Sequence, residues 1–315
     1  MAQIPRFRER PYVEDTAALT KALADGLATS LEGDFCWSLC FSAAFLHALC
    51  YEGFLPICCE LGGGSDLFVL LPKLHENRCV LRFADVHFSK KARKKAKQYV
   101  LTVGQAFGRV LACCIEQHGE SWLHPPMISA FCEMGGARPG LASAGGSLEA
   151  EMPAVVAPAS GAAGMLSFEL WRETAASEDG SAPASRTLVA GEFGSVAGRS
   201  YTSFSGFYRE DGSGAAQMAL TSACLEAAGF AWWDMGQEHA YKHERGARMM
   251  PRADFLRAYR VHRTQPNAMG ELLRRHSGRL TSAALLAELA DRYADRAAPP
   301  PAGQAGGQSG GQARV

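Results

Sequence analysis

The chain has 315 residues, 47% of them hydrophobic and 20% charged, and its 32 basic and 32 acidic side chains leave no formal net charge. At ~150 residues per domain this length predicts about two domains, and the apolar content excludes disorder throughout because enough surface can be buried to offset the ordering entropy. No stretch offers the ~20 apolar residues of a membrane-crossing helix, so no membrane partner is expected.

The opening MAQIPRFRERPYVEDT has no apolar core behind its charges, which argues against a secretory signal, and a cytoplasmic location is expected. Residues 41–51 (FSAAFLHALCY) have helical spacing, with Ser42 as N-cap and a stop at Gly53. Residues 79–83 read as a short apolar strand. Residues 90–97 (KKARKKAK) hold six cations in eight positions, with Ser89 as a possible cap. Residues 106–117 form an amphipathic helix and 126–134 another. Residues 135–164, rich in Gly, Ala, Pro and Ser, form a flexible insert. Strands follow at 166–171, 188–193 and 201–208, the first two joined by a polar hairpin loop at 174–186. Ser213 then caps a helix at 214–228, whose Leu220, Ala223, Cys224 and Ala227 make one apolar stripe, and Gly229 stops it. A buried strand at 230–235 follows, and 297–315 is a flexible tail. The ten cysteines, including Cys58-Cys59 and Cys113-Cys114 in apolar runs, behave as small hydrophobes in a reducing compartment; none has zinc spacing.

Strand, helix and strand between 201 and 235 imply two parallel strands joined by a crossover helix. Ligands in open sheets sit beyond the carboxyl ends of such strands, which puts Arg209–Gly214 and Asp234 at one crevice. Asp234 either caps a turn or serves as a carboxylate that holds an ammonium or takes its proton. The cations Lys90, Lys91, Arg93, Lys94, Lys95 and Lys97 form either a solvated helix face or a phosphate-binding patch. Trp122 is a core anchor or a stacking platform for a base. The R-x-x-G-x-G pattern at 209–214 is a plain loop or a phosphate cradle resembling the pyrophosphate loop of GNAT-type acyltransferases, although Glu210 and Asp211 would repel phosphate. His239 and His243 lack a third ligand, so no metal is expected.

Six motifs in order resemble bacterial leucyl/phenylalanyl-tRNA–protein transferases. They are YEGFLP at 51–56, R-x-V-L-x(5)-H-x-S-K at 78–90 with its basic run, SWL at 121–123, SFELW at 167–171, LVAGEFGSVAGRSY at 188–201, and W-D-x(11)-G-A-R-x-M-P-R-x-D-F-L at 233–256. The resemblance implies an α+β chain, with a small N-terminal domain (1–77), a GNAT-like transferase domain (78–265), a helical extension (266–296) and the tail. It implies an enzyme that moves Leu or Phe from aminoacyl-tRNA to a protein N-terminus beginning with Arg or Lys, marking it for degradation, with no cofactor and no DNA partner. By position Asp234 matches the family's catalytic-site aspartate, Trp122 the indole that stacks on the terminal adenosine, and 90–97 the acceptor-stem patch. Gln237 is a candidate polar helper, because the family's glutamine position is Gly236. Phe193, Phe204 and Phe207 are candidates for the donor side-chain pocket, Phe204 standing where the family has glutamate. A tyrosine-lysine pattern at 241–247 also resembles the tRNA-dependent peptide-bridge transferases. A CoA-dependent N-acyltransferase and a non-catalytic tRNA-binding module are the alternative readings.

Overall fold

The structure is a computed structural model that describes residues 7, 9–31, 34–62, 66–119, 122–136, 163–177 and 184–297. Most of the expected insert at 135–164, the tip of the loop at 174–186 and the tail after 297 lie outside the described residues. Helices α1 (Thr16–Ala24), α2 (Leu27–Ser30) and α3 (Ala43–Tyr51) precede a hairpin of β1 (Leu55–Glu60) and β2 (Phe68–Lys73). Next come β3 (Asn77–Leu81), α4 (Lys90–Ala96), β4 (Val100–Val103), α5 (Phe107–His118) and α6 (Pro125–Met134). Three long strands follow, β5 (Ala163–Thr174), β6 (Ser185–Ala197) and β7 (Ser200–Tyr208). Then come α7 (Ser213–Ala227), β8 (Trp232–Asp234), α8 (Ala240–Glu244), β9 (Arg248–Pro251), α9 (Arg252–His262), α10 (Met269–Arg275), β10 (Leu280–Thr281) and α11 (Ser282–Ala297).

The class is α+β. Eight strands form one mixed sheet in the order β10-β4-β5-β6-β7-β8-β3-β9, and β7–β8 is its parallel pair. That pair is the one expected from the strand–helix–strand pattern, with α7 as crossover. One face of the sheet carries a core drawn from α1, α2, α3, α5, α6 and α9; the other carries α4, α7, α10 and α11. Successive residues of a strand point to opposite faces. Trp232 accordingly stacks on Phe255 of α9 (5.6 Å between centroids), while Trp233 meets Tyr201 on the α7 face (6.2 Å). Both cores are closed, and each fully buried Leu or Phe contributes roughly 1.5–3 kcal/mol.

Short-range chemistry explains the helix ends. The Ser42 hydroxyl accepts from Phe45 N–H at 3.3 Å and the Ser89 hydroxyl accepts from Ala92 N–H at 3.2 Å, so both expected caps form. The cap of α7 differs. Gly212, at φ +73°, is its N-cap, and Ser213 lies inside the first turn, its hydroxyl 2.8 Å from Glu210 O and 3.2 Å from Val189 O. A left-handed glycine turns the chain more tightly than a serine cap could, and the serine is spent tying the loop to β6. The strand expected at 79–83 is shifted to 77–81, and Phe83 begins a turn of 3-10 helix. No helix among the described residues is long and apolar enough to cross a membrane.

Candidate functional site

The parallel pair β7–β8 is short. Its register runs Ser200–Trp232, Tyr201–Trp233 and Thr202–Asp234, and there β8 ends while β7 continues to Tyr208. At ~3.3 Å per residue, β7 runs about 20 Å beyond its last β8 partner. The sheet is therefore split, and ligands of α/β sheets gather where strand neighbours part. The sequence placed Asp234 and the loop at 209–214 in one crevice. The length of β7 separates them, so that placement is corrected. The loop is also occupied by its own contacts: Arg209 pairs with Glu116, and Glu210 accepts from the Tyr99 hydroxyl at 2.9 Å and pairs with Arg172.

Asp234 has no exposed surface and both its oxygens are used. Oδ2 accepts from Arg78 Nε at 3.1 Å and from the Thr202 hydroxyl at 3.0 Å, and Oδ1 accepts from Gly236 N–H at 2.9 Å. Arg78 is itself 1% exposed, donates through Nη2 to Gly53 O, and lies 4.5 Å over the Phe255 ring. Such a pair is strongly interdependent, because losing one member strands the other's charge away from water. The bond to Gly236 N–H also explains why glutamine is absent there. Gly236 has φ +71°, a left-handed conformation that resists a side chain, and Gln237 takes the next, exposed position. Gln237 faces a cleft of about 380 Å³ with Asp34, Lys73, His75 and Glu76, on the outer side of the turn.

Just past the split, β7 carries a β-bulge. Phe193 pairs with Ser205 and Gly194 with Ser203, leaving Phe204 without a partner on β6. Gly194 permits this crossing, since a Cβ there would lie 2.0 Å from Thr202 O. Bulges re-aim side chains and occur often beside active sites. Phe204 is turned onto Phe131 (5.6 Å between centroids) and Phe193 (6.1 Å), and Trp122 lies against Phe193 at 6.4 Å and nearly parallel to it. Two of the three expected pocket phenylalanines and the expected indole thus share one aromatic cluster on the α5–α6 face. Phe207 lies in the same core on that face but further along β7, 3% exposed and packed beside position 191.

The opposite face of the split holds residues that sequence reasoning missed. Glu192 of β6 is 5% exposed; its Oε2 accepts from the Ser203 hydroxyl at 3.1 Å, and its Oε1 has no hydrogen-bond partner among the described residues. Burial pushes its carboxyl up to about 8. Lys242 of α8 is nearly buried and donates to Met235 O (2.5 Å) and Gln237 O (2.6 Å), closing the turn after β8; burial lowers its pKa. Burial, with Glu192 nearby, raises the Tyr241 phenol to about 12. The only available signal for Glu192 was a charged residue inside an otherwise apolar strand.

The basic run forms α4 on this same face. Ala92 and Ala96 are buried, Lys90, Lys91, Arg93, Lys94 and Lys97 are exposed, and Lys95 lies over the Tyr99 ring at 5.8 Å. Lys95 also reaches the start of α7, 3.9 Å from where a Cβ on Gly212 would stand. A wider cleft, about 850 Å³, lies beyond Trp232 and is lined by Arg82, Arg248, Arg257, Asp254 and Met250 among others. It contains none of the expected site residues. The strand split, where topology and buried carboxylates coincide, is the better candidate site.

Residues 164–260 match the family described as leucyl/phenylalanyl-tRNA protein transferase. The match covers 97 of the 315 residues, so the likeness to that family is one of this segment. No curated protein matches it. The matched segment runs from β5 into α9, so it includes the split, the Phe204 bulge, Glu192 and Asp234. The likeness of this segment supports aminoacyl transfer from tRNA to protein as the activity to test. Arg78, Trp122 and α4 lie outside the matched segment and reach the site only through the fold.

Proposed function

We propose that the protein transfers a Leu- or Phe-like residue from its tRNA to the N-terminal α-amine of proteins that begin with Arg or Lys, marking them for degradation in the cytoplasm. The observation that carries this reading is the parallel strand pair that parts at buried Asp234 inside the family segment, beside an aromatic cluster. The same split, with its bulge and crossover helix α7, supports a GNAT-like domain following a small N-terminal one.

An aminoacyl ester is already activated, so the reaction needs neither a protein nucleophile nor a cofactor. It needs a neutral amine held against the carbonyl with water excluded. Phe193, Phe204 and Phe131 supply an apolar wall for the donor side chain, with Trp122 at its edge for the terminal adenosine. Main-chain N–H groups around the bulge meet the developing oxyanion. With both oxygens engaged, Asp234 is a positioning residue: it fixes Arg78 and the turn that presents Gln237. The α4 cations neutralise acceptor-stem phosphates.

Charged tRNA carrying labelled leucine tests the reading. Peptides beginning with Arg or Lys are expected to take the label, and otherwise identical peptides beginning with Ala are not. Label on none of them would overturn the transfer, and equal label on all would overturn the acceptor choice.

A further inference from the structure

On the transferase reading, we infer that Glu192 is the proton acceptor for the incoming α-ammonium, acting at the mouth of the strand split from the α7 side of the sheet. Ser203, which holds its Oε2, is the first residue of β7 beyond the last β8 pair, so the carboxylate stands where the two strands separate. Its cross-strand neighbour is Gly206, which has no side chain to cover it. A Cβ at position 206 would meet Glu192 Cβ at 3.2 Å.

The charge balance around Glu192 is unusual for a structural carboxylate. The buried Glu169 of β5 shows the ordinary solution, accepting from the Thr102 and Ser167 hydroxyls and from Gln105 and Ala106 N–H. Glu192 has one firm donor, the Ser203 hydroxyl; the Tyr201 hydroxyl and the Gln217 amide lie near enough to stabilise it, and no cation pairs with it among the described residues. Facing it are Tyr201 of β7, Gln217 of α7, and Tyr241 and Lys242 of α8, while Cys114 of α5 senses its charge from the other side of the sheet. Lys242 is the only cation in this set, and its ammonium is held by two backbone carbonyls rather than by the carboxylate. A buried carboxylate with no paired cation holds a proton well. Its proton affinity, about 8, matches that of an α-amine, ~8, which is the condition for efficient proton transfer.

The step balances. Glu192 takes one proton from the acceptor's –NH3+, and the freed nitrogen forms its bond to the ester carbonyl carbon. The bond from that carbon to the ribose oxygen breaks, and that oxygen takes the nitrogen's second proton. Glu192 then releases its proton to solvent.

The test compares Glu192→Gln with the wild-type chain on two acceptors, an ordinary peptide and one whose terminal amine is amino-oxy and already neutral at about pH 7. Loss of a general base is expected to lower kcat on the ordinary peptide by roughly 100-fold or more, with the amino-oxy peptide transferred at close to the wild-type rate and KM for aminoacyl-tRNA unchanged. Equal loss on both acceptors, or no loss on either, overturns the proposal. In Ser203→Ala, which keeps the carboxylate but removes the hydroxyl that favours its ionised form, the rising limb of the pH profile is expected to move to higher pH; an unmoved limb also overturns it. A wild-type chain that labels neither peptide overturns the transferase reading itself, and this inference with it.

Discussion

Two buried carboxylates flank β7, and they solve the problem of burial in opposite ways. Asp234 is placed against a buried guanidinium and takes three donors, so it stays fixed and links β3, β7 and β8. Glu192 meets no cation at bonding distance among the described residues and is held firmly only by the Ser203 hydroxyl. The first arrangement rigidifies a junction between strands far apart in sequence. The second leaves a group whose protonation state is free to change, which suits chemistry better than architecture.

The sharpest way to break this contrast is to remove the Asp234 carboxylate. Asp234→Ala would leave Arg78 buried without its counter-ion, and urea unfolding is expected to show a loss of about 3–5 kcal/mol. A loss under about 1 kcal/mol would mean that the carbonyl of Gly53 alone satisfies the guanidinium. A smaller effect of opposite character is expected at Glu192. The native carboxyl keeps its proton to about 8, whereas the unfolded one releases it near the ordinary value of 4.5. Between those values unfolding releases a proton, so this group makes stability fall as pH rises, by about 1.4 kcal/mol per unit. Urea midpoints from about pH 5 to about pH 8 should decline more in the wild-type chain than in Glu192→Gln; parallel curves would place the two carboxylates in one class. The smallest effect on stability belongs to α4. Changing Lys91 and Lys94 to Gln alters exposed positions and should shift stability by no more than about 0.5 kcal/mol. It should nevertheless weaken tRNA binding and reduce the slope of log K against log salt by roughly 0.7–0.9 per lost phosphate contact.

Local signals in the chain were informative where the physics is local. The Ser42 and Ser89 caps, the left-handed Gly53 and Gly229, and the stripe Leu220, Ala223, Cys224 and Ala227 each depend on neighbours within about one or two helical turns. The parallel β7–α7–β8 unit could be read because a strand–helix–strand pattern has one favoured handedness. Other features depend on register. That Phe204 is the bulged residue, and that Ser213 binds back to the loop instead of capping α7, follows from how β6 meets β7 and where Gly212 turns the chain. Phe207 shares the face of Phe193 and lies further along β7, beside position 191, so distance along the strand separates it from the aromatic cluster.

The amino-acid sequence alone determined the α+β class, the crossover unit, most helix ends and the resemblance of residues 164–260 to the transferase family, because these rest on periodicity, capping and ordered motifs. Only the tertiary structure decided that Asp234 is paired with a residue 156 positions away, that the loop at 209–214 is remote from it, and that Glu192 is buried at the strand split with no paired cation among the described residues. The reason is physical. A charge's environment is set by side chains that arrive from distant strands and by the water they exclude, and neither is visible along a chain.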